Sequence, residues 1–320
     1  VLEKLKSLVL GRRNWANALS IVVLAALVFS LLERSLFLAE TLALLRPQFT
    51  GVLLVLAGFF AWRKRWPWMG AAAGGTLLGA ILFLPHWAAT APHAKAEEGQ
   101  PVLTVFCHNV KFDSENQEQV IATIQELKPD VVVLLEVTGT WEKPLKELER
   151  LYPADLFEFR ADPFGIAFLT RLPVVESKLE DYSGYELLST LATLEFAGEK
   201  ITVIGTHPPP PVANTLAEVS DWHLRDLAKD IVRRKEPVLV IGDFNMAPGL
   251  VNYGKFLKAS ELRSAGNPWK PTWSVFKLPI LGVRMDHHFV SDQWKTVRTK
   301  VGQFDGSDHR WVYSELVLAD

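Results

Sequence analysis

Several apolar runs of the chain end or begin on a side chain that can bind a metal or move a proton. Asn109 closes one run, Glu136 a second and His207 a third, while Asp243 and Asn245 follow a fourth. Asp286, His287 and His288 open another run, and Asp308 and His309 precede the last. Side chains at neighbouring strand ends can converge on one mouth. Hard oxygen ligands there suit Mg²⁺, which favours carboxylates, waters and phosphate oxygens, and Mn²⁺ can take its place. Histidines beside such a site supply proton transfer and stabilise charge in a transition state. One carboxylate after a strand is ordinarily a solvated strand end, so the ordered set carries the reading. The single cysteine, Cys107, excludes an internal disulfide framework and a CxxC zinc site.

These residues need strands to position them. Short β-rich runs cover Leu103–Val110, Val131–Val137, Gly165–Thr170, Leu191–Phe196, Ile201–Thr206 and Val238–Ile241. Three more follow at Met285–Ser291, Thr296–Val301 and Trp311–Leu318. Helical periodicity marks Gln117–Leu127, Trp141–Leu151 and Leu216–Arg233, with Asn214 or Thr215 as a cap for the last and Glu218 in a capping box with Thr215. Many strands adjacent in sequence with few helices predict an α+β fold with packed sheets.

The first ninety-odd residues differ in kind. Ala16–Leu32, Thr41–Trp62 and Trp66–Ala91 are long and nearly uncharged, and each approaches the ~20 residues a membrane helix needs. The sequence therefore predicts an N-terminal anchor over residues 1–91 with three transmembrane helices, a linker over 92–100 and a catalytic domain over 101–320. Lys4, Lys6, Arg12 and Arg13 precede the first stretch, and Arg63–Arg65 separate the second and third. The positive-inside rule then places these in the cytoplasm and the later domain outside a multi-pass membrane anchor. Arg46 is expected to snorkel to the headgroups. The net charge of −2 hides a division: residues 1–98 carry ten basic and five acidic side chains, leaving 24 and 31 for the rest. An acidic domain does not advertise the basic face of a nucleic-acid binder, so a nucleic-acid partner is disfavoured.

The ordered set Asn109, Glu136, His207, Gly242-Asp243-Phe244-Asn245, Asp286-His287 and Ser307-Asp308-His309 resembles the endonuclease/exonuclease/phosphatase superfamily. That superfamily spans DNase I-like nucleases, inositol polyphosphate 5-phosphatases and neutral sphingomyelinases. The resemblance covers about residues 101–320 and implies a four-layer α/β/β/α sandwich. It implies Glu136 as the main Mg²⁺ ligand, with Asn109 beside it and Asp308 completing the metal environment. His309 would be the general base, oriented by Asp286. Asp243 and Asn245 would position the nucleophile and phosphoryl oxygens, and His207 would stabilise charge on the phosphate. Leu135 replaces the family's frequent Gln, and the Pro that often follows Ser-Asp-His is absent. The run His207–Pro211 and the apolar N-terminus resemble a membrane-anchored bacterial subgroup, similar to the teicoplanin-resistance membrane phosphatases.

A site tethered at a bilayer by a short linker meets phosphorylated headgroups at high effective concentration. The expected partner is the bilayer, and the expected substrate a lipid or polyprenyl (pyro)phosphate, turned over by a phosphatase or phosphodiesterase in the bacterial cell membrane. The alternatives are an extracytoplasmic nuclease, with Lys270, Lys277, Arg284 and Arg310 as groove candidates, and a non-catalytic binding domain. Arg171 is open between touching phosphate and bracing a loop. Trp269, Trp273 and Phe276 are candidates for an apolar lip. Oligomeric state, and the choice between monoester and diester, are not legible.

Overall fold

The computed structural model describes residues 15–33, 36–83, 90–267, 270–274 and 277–319. Lys4, Lys6, Arg12, Arg13, Trp269 and Phe276 lie outside them. The chain divides into a helical unit within residues 1–88 and a mixed unit of Ala89–Pro248 with Asn252–Asp320.

The helical unit contains α1 (Trp15–Phe29, continued by a 3₁₀ turn Ser30–Leu32), α2 (Phe37–Ala43), α3 (Arg46–Trp62) and α4 (Trp66–Phe83). Leu27, Leu53, Leu56, Phe60 and Ala72 form its interior. Small residues let the helices approach. A Cβ on Gly79 would lie 1.9 Å from the Thr50 hydroxyl, and one on Gly75 2.4 Å from Leu24. Outward, the unit presents apolar side chains: Val22, Leu54, Leu77 and Ile81 are exposed, and Val55 is 73% exposed.

The expectation of three transmembrane helices is corrected here. Among the described residues one helix, Trp15–Leu32, is long and apolar enough to cross a membrane, and a multi-pass topology is not supported. The second stretch forms a helix of only 17 residues, about 25 Å at 1.5 Å per residue and short of the ~30 Å hydrocarbon core. The third stretch does not run to Ala91. That residue is buried in the core of the mixed unit, and its N–H donates to Ser264 O at 2.8 Å. Arg46 does not snorkel: it is buried, pairs with Glu33 at 3.2 Å and donates to the Ser30 hydroxyl at 2.9 Å.

The mixed unit is α+β, with two six-stranded sheets in a sandwich. One sheet has the order β11-β12-β1-β2-β4-β3 and the other β5-β6-β7-β8-β10-β9. In the first are β1 (Leu103–Asn109), β2 (Val131–Leu135), β3 (Ala154–Glu158), β4 (Ile166–Thr170), β11 (Trp294–Val301) and β12 (Val312–Leu318). In the second are β5 (Val174–Asp181), β6 (Leu188–Phe196), β7 (Glu199–Thr206), β8 (Val238–Asp243), β9 (Arg263–Ser264) and β10 (Asp286–Val290). Alternate residues of each sheet meet in one core. Val105, Cys107, Val133 and Phe168 face Ala192, Val203, Leu239 and Ile241. The outer face of the first sheet is covered by α5 (Gln117–Leu127) and α6 (Glu142–Lys146), through Ile121, Ile124 and Leu145 on Phe106 and Val132. On the second sheet, α7 (Asn214–Ile231) brings the buried His223 to Thr206, and α8 (Val251–Ser260) packs Phe256 on Phe289. The periodicity read over 141–151 forms only a 3₁₀ turn and α6, after which the backbone bonds tighten to i→i+3, with Glu147, Leu148 and Glu149 N–H donating to Pro144, Leu145 and Lys146 O. The cap of α7 is Ala213, without a side-chain bond.

Two parallel pairings set the site. β1 runs beside β2, placing Asn109 opposite Leu135, one residue before Glu136. β7 runs beside β8, placing Thr206 opposite Gly242, so His207 and Asp243 leave their strands together. β10 runs antiparallel to β8 and sets Asp286 directly opposite Asp243.

Candidate active site

Glu136 sits in the left-handed region (φ 65°), at the turn that leaves β2. Its N–H donates to Gly165 O at 2.7 Å. Gly165 has no room for a side chain, since a Cβ would lie 1.9 Å from Val137 O. Lys111 (φ 63°) and Asn245 (φ 50°) are also left-handed. Each such non-glycine costs about 1–3 kcal/mol and persists only where surrounding bonds over-determine it. Those bonds are present: Phe112 N–H donates to Glu136 Oε2 at 3.0 Å, Lys111 N–H to Asn109 Oδ1 at 3.0 Å and Asn245 N–H to Asp243 Oδ1 at 2.9 Å.

The sandwich brings the sequence-derived residues together around one cavity of about 280 Å³. Glu136, His207, Asp243, Asn245, Asp308 and His309 line it. His309 Nδ1 donates to Asp286 Oδ2 at 2.9 Å, and its Nε2 lies 3.6 Å from Asp243 Oδ2. His207 Nε2 lies 3.7 Å from the same Asp243 oxygen. Asn109 is fully buried and donates its Nδ2 to Glu136 Oε1 at 2.7 Å and to Asp243 Oδ2 at 3.1 Å. Its amide nitrogen, rather than its oxygen, thus faces the carboxylates. Asn245 donates its own Nδ2 to Pro208 O at 3.0 Å, tying the proline run to the site.

Burial disfavours charge on all three members of the Asp–His–Asp group. For His309 it works downward, but the carboxylates of Asp286 and Asp243 overcome it and push the imidazole up to about 10. For Asp286 burial works upward, and the His309 charge with its hydrogen bond overcomes that and holds the carboxyl below its usual range. Asp243 is raised by burial, against the pull of His309. The result is a tightly paired imidazolium and carboxylate with a second carboxyl facing them.

Asp243, Asp286 and His309 place ligand-type atoms within 4.8 Å of one another. A cation there would displace the bond that orients His309. Glu136 and Asp308 fit a divalent ion better. Each offers hard oxygen donors to the cavity, and the bonds they accept come from uncharged groups: Asn109 and Phe112 N–H on Glu136, and Trp273 Nε1, at 3.2 Å, on Asp308.

Sequence reasoning passed over several lining groups. Lys111, Phe112, Pro163 and Phe164 also wall the cavity, beside Pro210 of the proline run that the sequence had singled out. Ser307 pins the Asp308–His309 turn, donating to Asn109 O at 2.7 Å and accepting from His309 N–H at 2.9 Å. The Ser of the Ser-Asp-His motif was the available signal for it. Arg171 braces a loop, pairing with Asp130 at 2.8 Å. His108, His287 and His288 are buried and kept neutral by burial, at about 4, 3 and 3. They bond to His309 O, Met246 O and the Ser314 hydroxyl.

Two packed sheets that converge acidic side chains and an Asp-oriented histidine on one cavity are the arrangement of a hydrolase. The chain belongs to the Endonuclease/Exonuclease/phosphatase family, whose model matches residues 107–309. Among solved structures it is similar to D. rerio TDP2 complexed with a single-strand DNA product (16% identity, TM-score 0.57, covering 67% of this chain and 98% of that one). It is also similar to an endonuclease/exonuclease/phosphatase from Beutenbergia cavernae (20%, 0.57, 69% and 72%). A third is the human Nocturnin catalytic domain with bound sulfate (18%, 0.56, 73% and 99%). At these identities the likeness shows the fold. No curated protein sequence matches.

Proposed function

We propose that this chain is a membrane-attached, Mg²⁺-dependent phosphoesterase that hydrolyses the phosphate ester of a lipid or a polyprenyl (pyro)phosphate. The observation that carries the reading is the buried Asp286–His309 pair opening onto the cavity that Glu136 and Asp308 line. Asp286 keeps a proton on Nδ1 of His309, so that the imidazolium, once it gives up its Nε2 proton, presents that nitrogen to take a proton from water. Asp243, facing Nε2, holds the water in line with phosphorus. His207 and Asn245 bond the phosphoryl oxygens as charge builds on them. Glu136 and Asp308, with Asn109 after a turn of its amide, would hold an ion, Mg²⁺ or Mn²⁺, which when bound would supply Lewis-acid neutralisation of the charge that builds on the phosphate.

Support for a lipid substrate comes from the helical unit. Its apolar exterior and the span-length helix Trp15–Leu32 suit attachment to a bilayer. Lys4, Lys6, Arg12 and Arg13 before that helix favour a cytoplasmic N-terminus, so a single crossing puts the catalytic unit outside a bacterial-type cell membrane, as in the teicoplanin-resistance subgroup. The second reading, a nuclease, is favoured by the likeness to a TDP2 structure holding single-strand DNA. Against it, two of the basic candidates are occupied: Arg284 is buried, and Arg310 donates to the carbonyls of Gly302, Pro271 and Val301. The test is hydrolysis by the full chain in detergent with Mg²⁺. Phosphatidic acid, a polyprenyl diphosphate, sphingomyelin and supercoiled plasmid are compared, each with an EDTA control. Lipid turnover abolished by EDTA supports the proposal, and plasmid cleavage without lipid turnover replaces it with the nuclease.

A further inference from the structure

One side of the cavity mouth continues into an exposed apolar rim that no step of the chemistry uses. Trp273 lines the cavity and pairs, as isolated antiparallel bridges, with both His309 and Val283. The Trp273 and Val283 backbones exchange hydrogen bonds at 3.0 and 2.9 Å, closing the base of a loop that projects from the site. On that loop Ser274 Oγ donates to Leu278 O at 2.7 Å, and Leu281 N–H to Leu278 O at 3.0 Å, so the tip is a built turn. The tip nevertheless turns its large side chains outward: Leu278 is 49%, Ile280 82% and Leu281 45% exposed. A second loop stands beside it. Gly306 O accepts from Ser114 Oγ at 3.1 Å and from Lys277 Nζ at 3.4 Å, so one carbonyl two residues before Asp308 joins the two loops. The loop of Ser114 also carries Phe112, which lines the cavity and is 41% exposed.

We infer that Phe112, Leu278, Ile280 and Leu281 form a surface that enters the apolar edge of a lipid bilayer and sets the cavity mouth at headgroup depth. These exposed side chains offer a partner apolar area without directional bonds. Lys277 flanks it with an ammonium group on a long stem, while Lys111 is paired with Asp113; an apolar tip bordered by a lysine matches the acyl and phosphate layers of a membrane surface. Exposed apolar patches beside a polar site mark interaction surfaces. The inference rests on the membrane attachment proposed above, and its readout needs no turnover.

The experiment places a fluorophore at the tip. Cys107 is fully buried, so Ile280→Cys in the full chain labels at one accessible thiol. The labelled protein is reconstituted in nanodiscs of phosphatidylcholine and phosphatidylglycerol, with Val232→Cys, exposed at the end of α7, labelled for comparison. The expected result is a blue-shifted emission at position 280, quenched at least twofold by lipids brominated near the glycerol end of their chains. Iodide should quench it several-fold less than the label at 232. Free quenching by iodide with no effect of brominated lipid overturns the inference. Insertion without hydrolysis of any lipid phosphate keeps this surface and rejects the substrate. Lipid hydrolysis without insertion rejects the surface and keeps the substrate.

Discussion

Replacing Asp286 by Asn removes a charge and little else. Its backbone stays paired with Asp243 across β10 and β8, and an amide oxygen can still accept from His309 Nδ1. What disappears is the carboxylate 2.9 Å from the imidazole. At an effective dielectric of ~20 a full charge pair at that separation is worth roughly 6 kcal/mol, which sets a ceiling. A positioned general base contributes ~10²–10⁴ in rate, or about 3–5 kcal/mol of barrier. Asp286→Asn should therefore lower kcat by ~10²–10⁴ at saturating Mg²⁺. A second signature separates this from misfolding. His309 is held up at about 10 mainly against burial by Asp286 and then Asp243. Without Asp286 it titrates lower, so the acid limb of the pH–rate profile should move to lower pH even as the plateau falls. Initial rates of phosphate release from about pH 5 to about pH 11, which bracket the ordinary and the raised imidazole values, measure both. A variant within threefold of wild type, or a limb that stays in place, would refute the pairing as the source of the base.

Other expectations follow from single residues. Gly165→Ala forces a Cβ to within 1.9 Å of Val137 O beneath the Glu136 turn; the overpacking should cost about 1–3 kcal/mol in urea unfolding and weaken metal binding with it. Glu136→Gln should lower Mn²⁺ affinity, by titration calorimetry, by about tenfold or more while the fold, by circular dichroism, stays intact. The metal-free protein should lose stability with rising pH. His309 is raised from 6.5 to about 10 on folding, so its contribution is whole below pH 6.5 and is lost as pH climbs through 10. Asp286, held below its usual range, works oppositely, its contribution present above the ordinary carboxylate value and lost as pH falls. Thermal melts in EDTA from about pH 3 to about pH 11 check both limbs, and a melting temperature flat from pH 6.5 to 10 would contradict the His309 reading.

The interior strands were legible because both of their faces are buried. β2 and β8 are unbroken apolar runs ending on Glu136 and Asp243, and each is buried along its whole length. Edge strands were less legible. Most of β11 was read, as Thr296–Val301, but β5 (VVESKLED) is mostly exposed and charged and β9 has two residues, so neither of these carries an apolar signal. The candidate site was legible where a polar side chain interrupts an apolar run. It was not where function depends on backbone shape: nothing in the sequence marks Lys111 or Glu136 as left-handed, or sets Phe112 over the cavity mouth. The helical unit misled for a related reason. Composition reports apolarity but not helix length, and Ala91, read as the end of a span, serves the core of the sandwich instead.

The central claim is that His309 activates a water that attacks phosphorus in a lipid phosphate. The most direct measurement is hydrolysis of such a lipid by the full chain and Mg²⁺ in ¹⁸O-labelled water, beside His309→Ala. One ¹⁸O is expected in the released phosphate and none in the lipid alcohol, with turnover reduced about a hundredfold or more in the variant. Label in the alcohol, or a variant as active as wild type, would contradict it.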